Sequence, residues 1–494
     1  VEKWGDIVSR LTDTSLAGLP AAIRRPAYDR AAAGIGIVHI GPGAFHRAHQ
    51  ASYIDSVLEQ GGDWALSVIS LNSRDIADAL TPQQGLYTLA TLDEKAEYRV
   101  IGAIREVLHA PSSRAAVLAR LANPATRIVT CTVTEKGYCL NGAGLLDVDH
   151  LAIRADLANP QFPTSLIGWL VEGLRLRHAD GLPPFTVVSC DNLSDNGRKL
   201  GRALVDFADR LDPALARWIE AEGAFPCTMV DSITPATDEA LKARVAEALG
   251  VADAAPVQRE PFTQWVVEDR FCNGRPAFES VGVQMTRDVA AFERAKLRLL
   301  NGPHSSLAYL GLLLGLESVA DAMRHKLLSR FVERLMREDI APTVPAPAGF
   351  DLEGYISAIL ARFANPGIRH LLSQIAWDGS QKLPVRLLGT IADALAQGRA
   401  VDALCLPVAG WLHFLRQRAQ PGQPKLIDPL AERLLAIASS TAGDVTGDVA
   451  AFLTLESVFP ASLVADKHFC HALENAYRIL SPGDASAVAR SLEG

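Results

Sequence analysis

The sequence has no excess of positive charge, no long apolar run and no paired cysteines, and each absence removes a class of protein. Its 48 Lys and Arg are outnumbered by 56 Asp and Glu, for a formal charge of −8 at pH 7. A nucleic-acid or anionic-membrane partner calls for a basic face, so neither is expected. A small anionic substrate stays open, because a few local cations decide that. The longest apolar run, residues 307–316, includes Tyr309 and two glycines. It is well short of the roughly 20 residues that span a bilayer and reads as a buried helix. Residues 1–11 mix Glu2, Lys3, Asp6 and Arg10 with apolar residues and carry no signal-peptide core. The 7 cysteines include no CxxC pair, which fits a reducing compartment better than a disulfide framework. The expectation is a cytoplasmic protein.

What is present is an ordinary globular composition, about half apolar and a fifth charged, over 494 residues. That length implies two large domains. Residues 36–41 (GIVHIG), 65–71 (ALSVISL), 127–134 (RIVTCTVT) and 185–190 (FTVVSC) are short, Val/Ile/Thr-rich and bounded by turn residues, as buried strands are. Amphipathic stretches such as 50–60 and 112–121 lie between them. Strand alternating with helix predicts an α/β fold with a parallel sheet and right-handed crossovers. From about residue 290 the pattern turns helical, over 292–316, 317–337, 352–363, 384–397, 401–417 and 429–439, with a Pro-rich loop at 341–347. The expected boundary falls at 287–290, dividing an α/β domain at 1–289 from a mostly α-helical domain at 290–494.

The first strand runs straight into Gly41-Pro42-Gly43-Ala44-Phe45-His46-Arg47. Of the two glycines, the first permits a tight turn and the second lets a pyrophosphate approach the backbone, with a helix N-terminus following. The third glycine of the usual fingerprint is missing. Gly41, Pro42, Gly43, Ala44, Phe45 and Arg47 are the candidate cofactor loop, although an ordinary βα turn has the same form. Arg47 has two readings, a pyrophosphate contact or a solvated surface charge. The second long strand ends Leu71-Asn72-Ser73-Arg74. Asn72 joins the candidate cofactor residues. NAD is the expected cofactor, but an NAD site usually places an acid here and none precedes Asp75, while an arginine such as Arg74 suits a 2′-phosphate, so NADP stays open.

The second candidate site is the helix that opens the helical region. At about 100° per residue, Glu293, Lys296, Asn301 and His304 fall in one broad stripe. Gly302-Pro303 should kink that helix. A lysine can take the proton from an alcohol as hydride leaves, if burial or a nearby positive nicotinamide brings its pKa down to about 7–8. Asparagine and histidine can bind the developing alkoxide. The plainer reading is a surface ion pair between Glu293 and Lys296, beside a histidine satisfied in the core. No Tyr-x-x-x-Lys, HExxH, GK[ST] or GxSxG occurs, and no Cys/His cluster suggests a metal.

Taken together, GPGAFHRAHQ (41–50), TVTEKGYC (132–139), SCDN (189–192), FPCTMVDSITPAT (225–237), KLRLLNGPHSSLAYLG (296–311) and DGSQKLP (378–384) resemble the mannitol dehydrogenase family of long-chain polyol dehydrogenases. The resemblance spans nearly the whole chain. It implies a Rossmann-type domain, a helical domain that completes the site, and metal-free chemistry. It makes Lys296 the general acid–base, Asn192 and Asn301 an oxyanion-stabilising pair, and His304 a substrate-binding residue. Asp231 and Lys382 would line the same pocket, and Glu293 would help pass the proton to water. Within the family, Lys136 and Gln374 resemble the fructuronate reductase (D-mannonate oxidoreductase) pattern, since mannitol 2-dehydrogenases tend to carry arginine where Gln374 stands. A sugar acid would need a cation for its carboxylate, and Lys136, Lys382 and Arg386 are the candidates. A mannitol- or arabinitol-type polyol dehydrogenase is the alternative, and a non-catalytic sugar- or nucleotide-binding protein another. The expected assembly is a monomer or small homo-oligomer.

Overall fold

The computed structural model describes residues 9–93, 95–345, 350–481 and 485–492. The chain forms two compact units, Val1–Ala290 and Ala291–Gly494.

Among its described residues the first unit contains eleven strands. They are β1 (Ile35–Ile40), β2 (Ala65–Ser70), β3 (Tyr87–Thr91), β4 (Glu97–Ile101), β5 (Ile104–His109), β6 (Ile128–Cys131), β7 (Thr186–Ser189), β8 (Thr228–Asp231), β9 (Val257–Arg259), β10 (Gln264–Glu268) and β11 (Gln284–Thr286). Five make the central sheet, in the order β5-β2-β1-β6-β7, all parallel. This is the expected Rossmann-type sheet. Its inner strands are buried on both faces, which is why they read as unbroken apolar runs rather than alternating ones. Chain order reverses between β1 and β6, so the crevice beyond their carboxyl ends is the switch point where open α/β sheets bind ligands.

Two small sheets, β11-β10-β8 and β4-β3-β9, extend this unit. The edge strand β5 and both small sheets go beyond the strands read in the sequence. One polar residue sits inside β1. His39 is sealed from solvent, and its Nδ1 meets Thr130 Oγ1 at 2.7 Å while Nε2 lies 3.1 Å from the Gly41 carbonyl and 3.0 Å from Thr132 Oγ1. It thereby ties the end of β1 to β6.

The second unit has no strand among its described residues, only the isolated bridge Ser318↔Leu371. Its core is built on helix Asp402–Arg418, which packs against Lys467–Leu480 and Gly302–Leu313. The expected helix at 292–316 is broken. Val289–Lys296 passes into a π turn, Leu297–Asn301, before Gly302–Leu313 begins. Pro303 explains the place. It has no N–H, and its ring would press on the carbonyl four residues back, so the turn widens and Gly302 N–H bonds Leu297 O instead. The helix expected at 384–397 likewise opens with a π turn, Pro384–Leu388. The Pro-rich loop expected at 341–347 opens with a 3-10 turn, Ala341–Thr343, and residues 346–349 lie outside the described residues. Among the described residues no helix is long and apolar enough to cross a membrane.

Candidate active site

In the first unit the glycine loop forms one wall of a cavity of about 490 Å³ at the switch point. Gly41 is required there on two counts. Its φ is +92°, and a Cβ would come within 2.1 Å of the Thr132 carbonyl oxygen. Gly43 differs. Its φ of −66° suits any residue, and a Cβ would meet only the Gly41 carbonyl, at 4.0 Å. Its backbone stands exposed on the cavity, open to close approach by a ligand. Pro42, Asn72, Ser73, Thr132, Val133 and Lys136 also line it.

Lys136 owes its place to a strained loop. Thr134, at φ 66° and ψ 162°, occupies a region that glycine alone enters freely, at a cost of about 1–3 kcal/mol. Asp191 holds it, accepting from Val133 N at 2.9 Å, Thr134 N at 3.1 Å and the Tyr138 hydroxyl at 2.6 Å. The loop folds back over the glycine turn. Lys136, expected among substrate-binding residues, therefore stands with Gly41, Gly43 and Asn72. Asn192, exposed, directly follows Asp191 at the same edge of the sheet, and Asp231 is the buried last residue of β8.

Arg47 takes neither of its two expected places. It is buried, donating to the Pro42 carbonyl at 3.2 Å and the Ala255 carbonyl at 2.5 Å. It braces the glycine loop from behind and does not line the cavity, since its apolar stem and cation–π contact with Tyr87 draw it inward. Ala44 and Phe45 are half-buried and likewise do not line it. His46 stacks on His39, with ring centroids 3.3 Å apart. Burial, then nearby His39 and Arg47, keeps its pKa well below the usual value, so both rings are neutral structural groups. Arg74, the residue that left NADP open, pairs with Asp78 at 2.9 Å on the surface.

In the second unit the π turn sets the geometry of the other candidate residues. On an unbroken α-helix Asn301 would stand about 140° from Lys296 and His304 about 80°. The π turn absorbs one extra residue. Asn301 then stands about 40° from Lys296, as an i+4 residue does, and His304 about 20° to the other side, as an i+7 residue does. Glu293 stays about 60° away, on the preceding turn. The broad stripe becomes a narrow face. Lys296 and Glu293 are both half-buried on it.

His304 is the centre of a basic cluster. Its ring stacks on Phe363, centroids 5.3 Å apart, and meets His370 edge-to-face at 4.7 Å. Burial pushes its pKa well down, and His370, Arg386, Arg362 and Lys382 all push the same way. Lys382 Nζ lies 3.3 Å from the Ile375 carbonyl, and Arg386 donates to Ser305 Oγ at 3.1 Å. Burial and then Arg386 lower the Lys382 pKa, partly offset by Asp378 and Asp428. Gln374 sits exposed on the short helix Leu372–Ile375. Lys296, Asn301, His304 and Lys382 thus belong to one unit and Asn192, Asp231 and Lys136 to the other.

Comparison with known proteins decides the family. The profile of the mannitol dehydrogenase Rossmann domain matches residues 35–280, and that of the mannitol dehydrogenase C-terminal domain matches 288–481. The chain belongs to the mannitol dehydrogenase family. It is an oxidoreductase on the family fold. Among its relatives, D-mannonate oxidoreductase of Escherichia coli K12 is 43% identical over 94% of this chain and 96% of that protein. A mannitol 2-dehydrogenase of Aspergillus fumigatus is 41% identical over 92% and 93%. Of solved structures, a Pseudomonas fluorescens mannitol 2-dehydrogenase in ternary complex with NAD and D-mannitol matches at 37% identity and TM-score 0.81, covering 98% of this chain and 99% of that one. A substrate-free D-sorbitol dehydrogenase matches at 35% identity and TM-score 0.91, covering 97% and 99%.

For a member of the mannitol dehydrogenase family, the glycine-loop cavity suits a dinucleotide. It combines a bare backbone at Gly43, a cation at Lys136 and polar groups at Asn72 and Ser73 beyond β2. Thr132, Val133 and Ser73 were missed as lining residues, although TVTEKGYC marks the first two. His370 and Arg362 were missed entirely, since neither lies in a motif. Among the described residues no three His, Cys, Asp or Glu side chains gather as metal ligands.

Proposed function

We propose that this enzyme interconverts a keto sugar acid and its alcohol with NAD(H), D-fructuronate and D-mannonate being the substrate pair, and that Lys296 is its general acid–base. The narrow face of Lys296, Asn301 and His304 created by the π turn carries the reading. Residues 1–289 bind the cofactor and 290–494 supply the acid–base group. A bound NAD(H) would supply the hydride chemistry at the carbinol carbon. Lys296 gives a proton to the oxygen during reduction and removes it during oxidation. Asn301 and Asn192 hold the oxygen while it carries charge. Glu293 passes the proton between Lys296 and water. NAD is favoured over NADP because Arg74 is engaged by Asp78 and does not line the cavity. The enzyme works in the cytoplasm as a monomer or small homo-oligomer, in keeping with seven free cysteines.

The sugar acid is supported by Gln374, which fits the fructuronate reductase pattern, and by the basic groups around His304. A polyol such as mannitol is the second reading, favoured by the 41% identity to a mannitol 2-dehydrogenase. A panel of D-fructuronate, D-tagaturonate, D-fructose, D-mannitol and D-arabinitol with both cofactors separates the two. Lys296→Ala should lower turnover by about 10²–10⁴-fold while leaving NADH fluorescence titration unchanged. Retained turnover overturns the mechanism.

A further inference from the structure

We propose that His370 selects the sugar acid, its imidazole and the Lys382 ammonium together receiving the substrate carboxylate. This rests on the sugar-acid reading above. The argument begins with charge. His370, Arg386, Arg362 and Lys382 all act on His304. Two acids act on Lys382. One of them, Asp428, is engaged by Ser380 N at 2.9 Å, Ser380 Oγ at 2.6 Å and Leu430 N at 2.8 Å. Lys382 and Arg386 therefore stand beside the His304–His370 pair, where an anion would find positive potential.

The ring nitrogens point the same way. His304 Nε2 and His370 Nδ1 are buried without hydrogen-bond partners. Native proteins rarely leave such groups unmade, and functional sites are where they do. No side-chain hydrogen bond ties the His370 ring, and Nδ1 is the nitrogen sealed from solvent, which leaves Nε2 to meet a ligand. Its backbone is fixed, by contrast. The His370 carbonyl accepts from Val319 N at 3.0 Å, and its N–H donates to Ile368 O at 3.0 Å.

His370 and Lys382 converge on one short helix. His370 precedes Leu372–Ile375 by two residues, and Lys382 reaches back to the carbonyl of Ile375 at its end. Their second partner is the His304 ring, which the π turn has brought onto the Lys296 face. A carboxylate has two oxygens and can take one donor from each. Arg386, held by Ser305, adds positive potential behind them. Lys136 stands in the other unit, with the glycine loop, and is left to the cofactor.

The test uses the full-length enzyme with D-fructuronate, its neutral amide and D-fructose. In His370→Ala and His370→Gln, the ratio of kcat/KM for D-fructuronate to that for D-fructose should fall about 10- to 100-fold, the size of a lost charged hydrogen bond. NADH titration verifies that each variant is folded. The amide should lose a similar factor in the wild type and little more in the variants. If the wild type prefers D-fructuronate and both variants keep that preference, the assignment of His370 is wrong while the sugar-acid reading stands. If the wild type uses D-fructuronate no better than D-fructose, both fall.

Discussion

Replacing each glycine of the loop by alanine separates folding from binding. At Gly41 the added methyl is strained by a φ of +92° and would lie 2.1 Å from the Thr132 carbonyl oxygen. Backbone strain of this kind costs about 1–3 kcal/mol, and overpacking against a fixed backbone about 1–3 kcal/mol more. The sum, roughly 2–6 kcal/mol, is a large part of a typical domain's stability. At about 2–4 °C per kcal/mol, Gly41→Ala should melt about 5–20 °C lower and bind NADH poorly. Gly43→Ala has no such penalty. Its φ is ordinary and its Cβ space is open, so only the weaker N-cap preference of alanine remains, about 0.5 kcal/mol. Its methyl nevertheless stands on the cavity wall, where a pyrophosphate would approach the backbone. NADH affinity should drop about 10- to 100-fold with the melting temperature nearly unchanged. Differential scanning calorimetry and NADH fluorescence titration on the two variants give the four values needed. Equal losses of stability in both, or undiminished NADH binding in Gly43→Ala, would refute the assignment of this loop to the cofactor.

Two further outcomes follow from the same unit. Asp191→Asn should release the strained loop at Thr134, because one amide oxygen cannot replace two carboxylate oxygens accepting three hydrogen bonds. The expected cost is about 2–3 kcal/mol in urea unfolding, with weaker NADH binding through the displaced Lys136. His39 supplies a pH dependence. Burial pushes its pKa down to about 3, although its bond to the Gly41 carbonyl acts the other way. The unfolded chain, with an ordinary histidine near 6.5, then binds more protons between pH 3 and 6.5. The contribution to stability is full above about pH 6.5 and falls by about 1.4 kcal/mol per pH unit as the pH drops through that window. Urea unfolding from pH 7 to 5 should show this slope, and His39→Asn should reduce it.

How much of this was legible in the sequence follows from burial. Strands β1, β2, β6 and β7 could be read because both faces are buried, and apolar and β-branched residues dominate them. Strand β5 (IREVLH) lies at an edge, with Arg105 and Glu106 half-exposed, and so has no such signature. The small sheets use strands of three to five residues, too short for a periodic signal. Arg47 could not be placed from its neighbours, since its partners include the carbonyl of Ala255, over 200 positions away. Lys136 could be recognised by its motif but not located, because the turn that redirects it depends on a backbone conformation a threonine rarely adopts. Lys296, Asn301 and His304 were legible as a stripe. Its true width was not, because helical periodicity presumes an unbroken helix.

That surplus residue has a consequence for how the helix can vary. The segment before Leu297 and the segment after Asn301 keep separate angular phases, joined by one wide turn. Downstream, phase is dictated by the packing of Gly302–Leu313 in the core of its unit. Upstream, it sets the direction of Lys296. Without the wide turn, one rotation would have to satisfy both demands, and any shift in core packing would swing the lysine. With it, Gly302–Leu313 keeps the phase its core packing requires while Lys296, Asn301 and His304 share one face. A comparison of residue identities alone would miss this, since what preserves the face is the number of residues between Lys296 and Pro303.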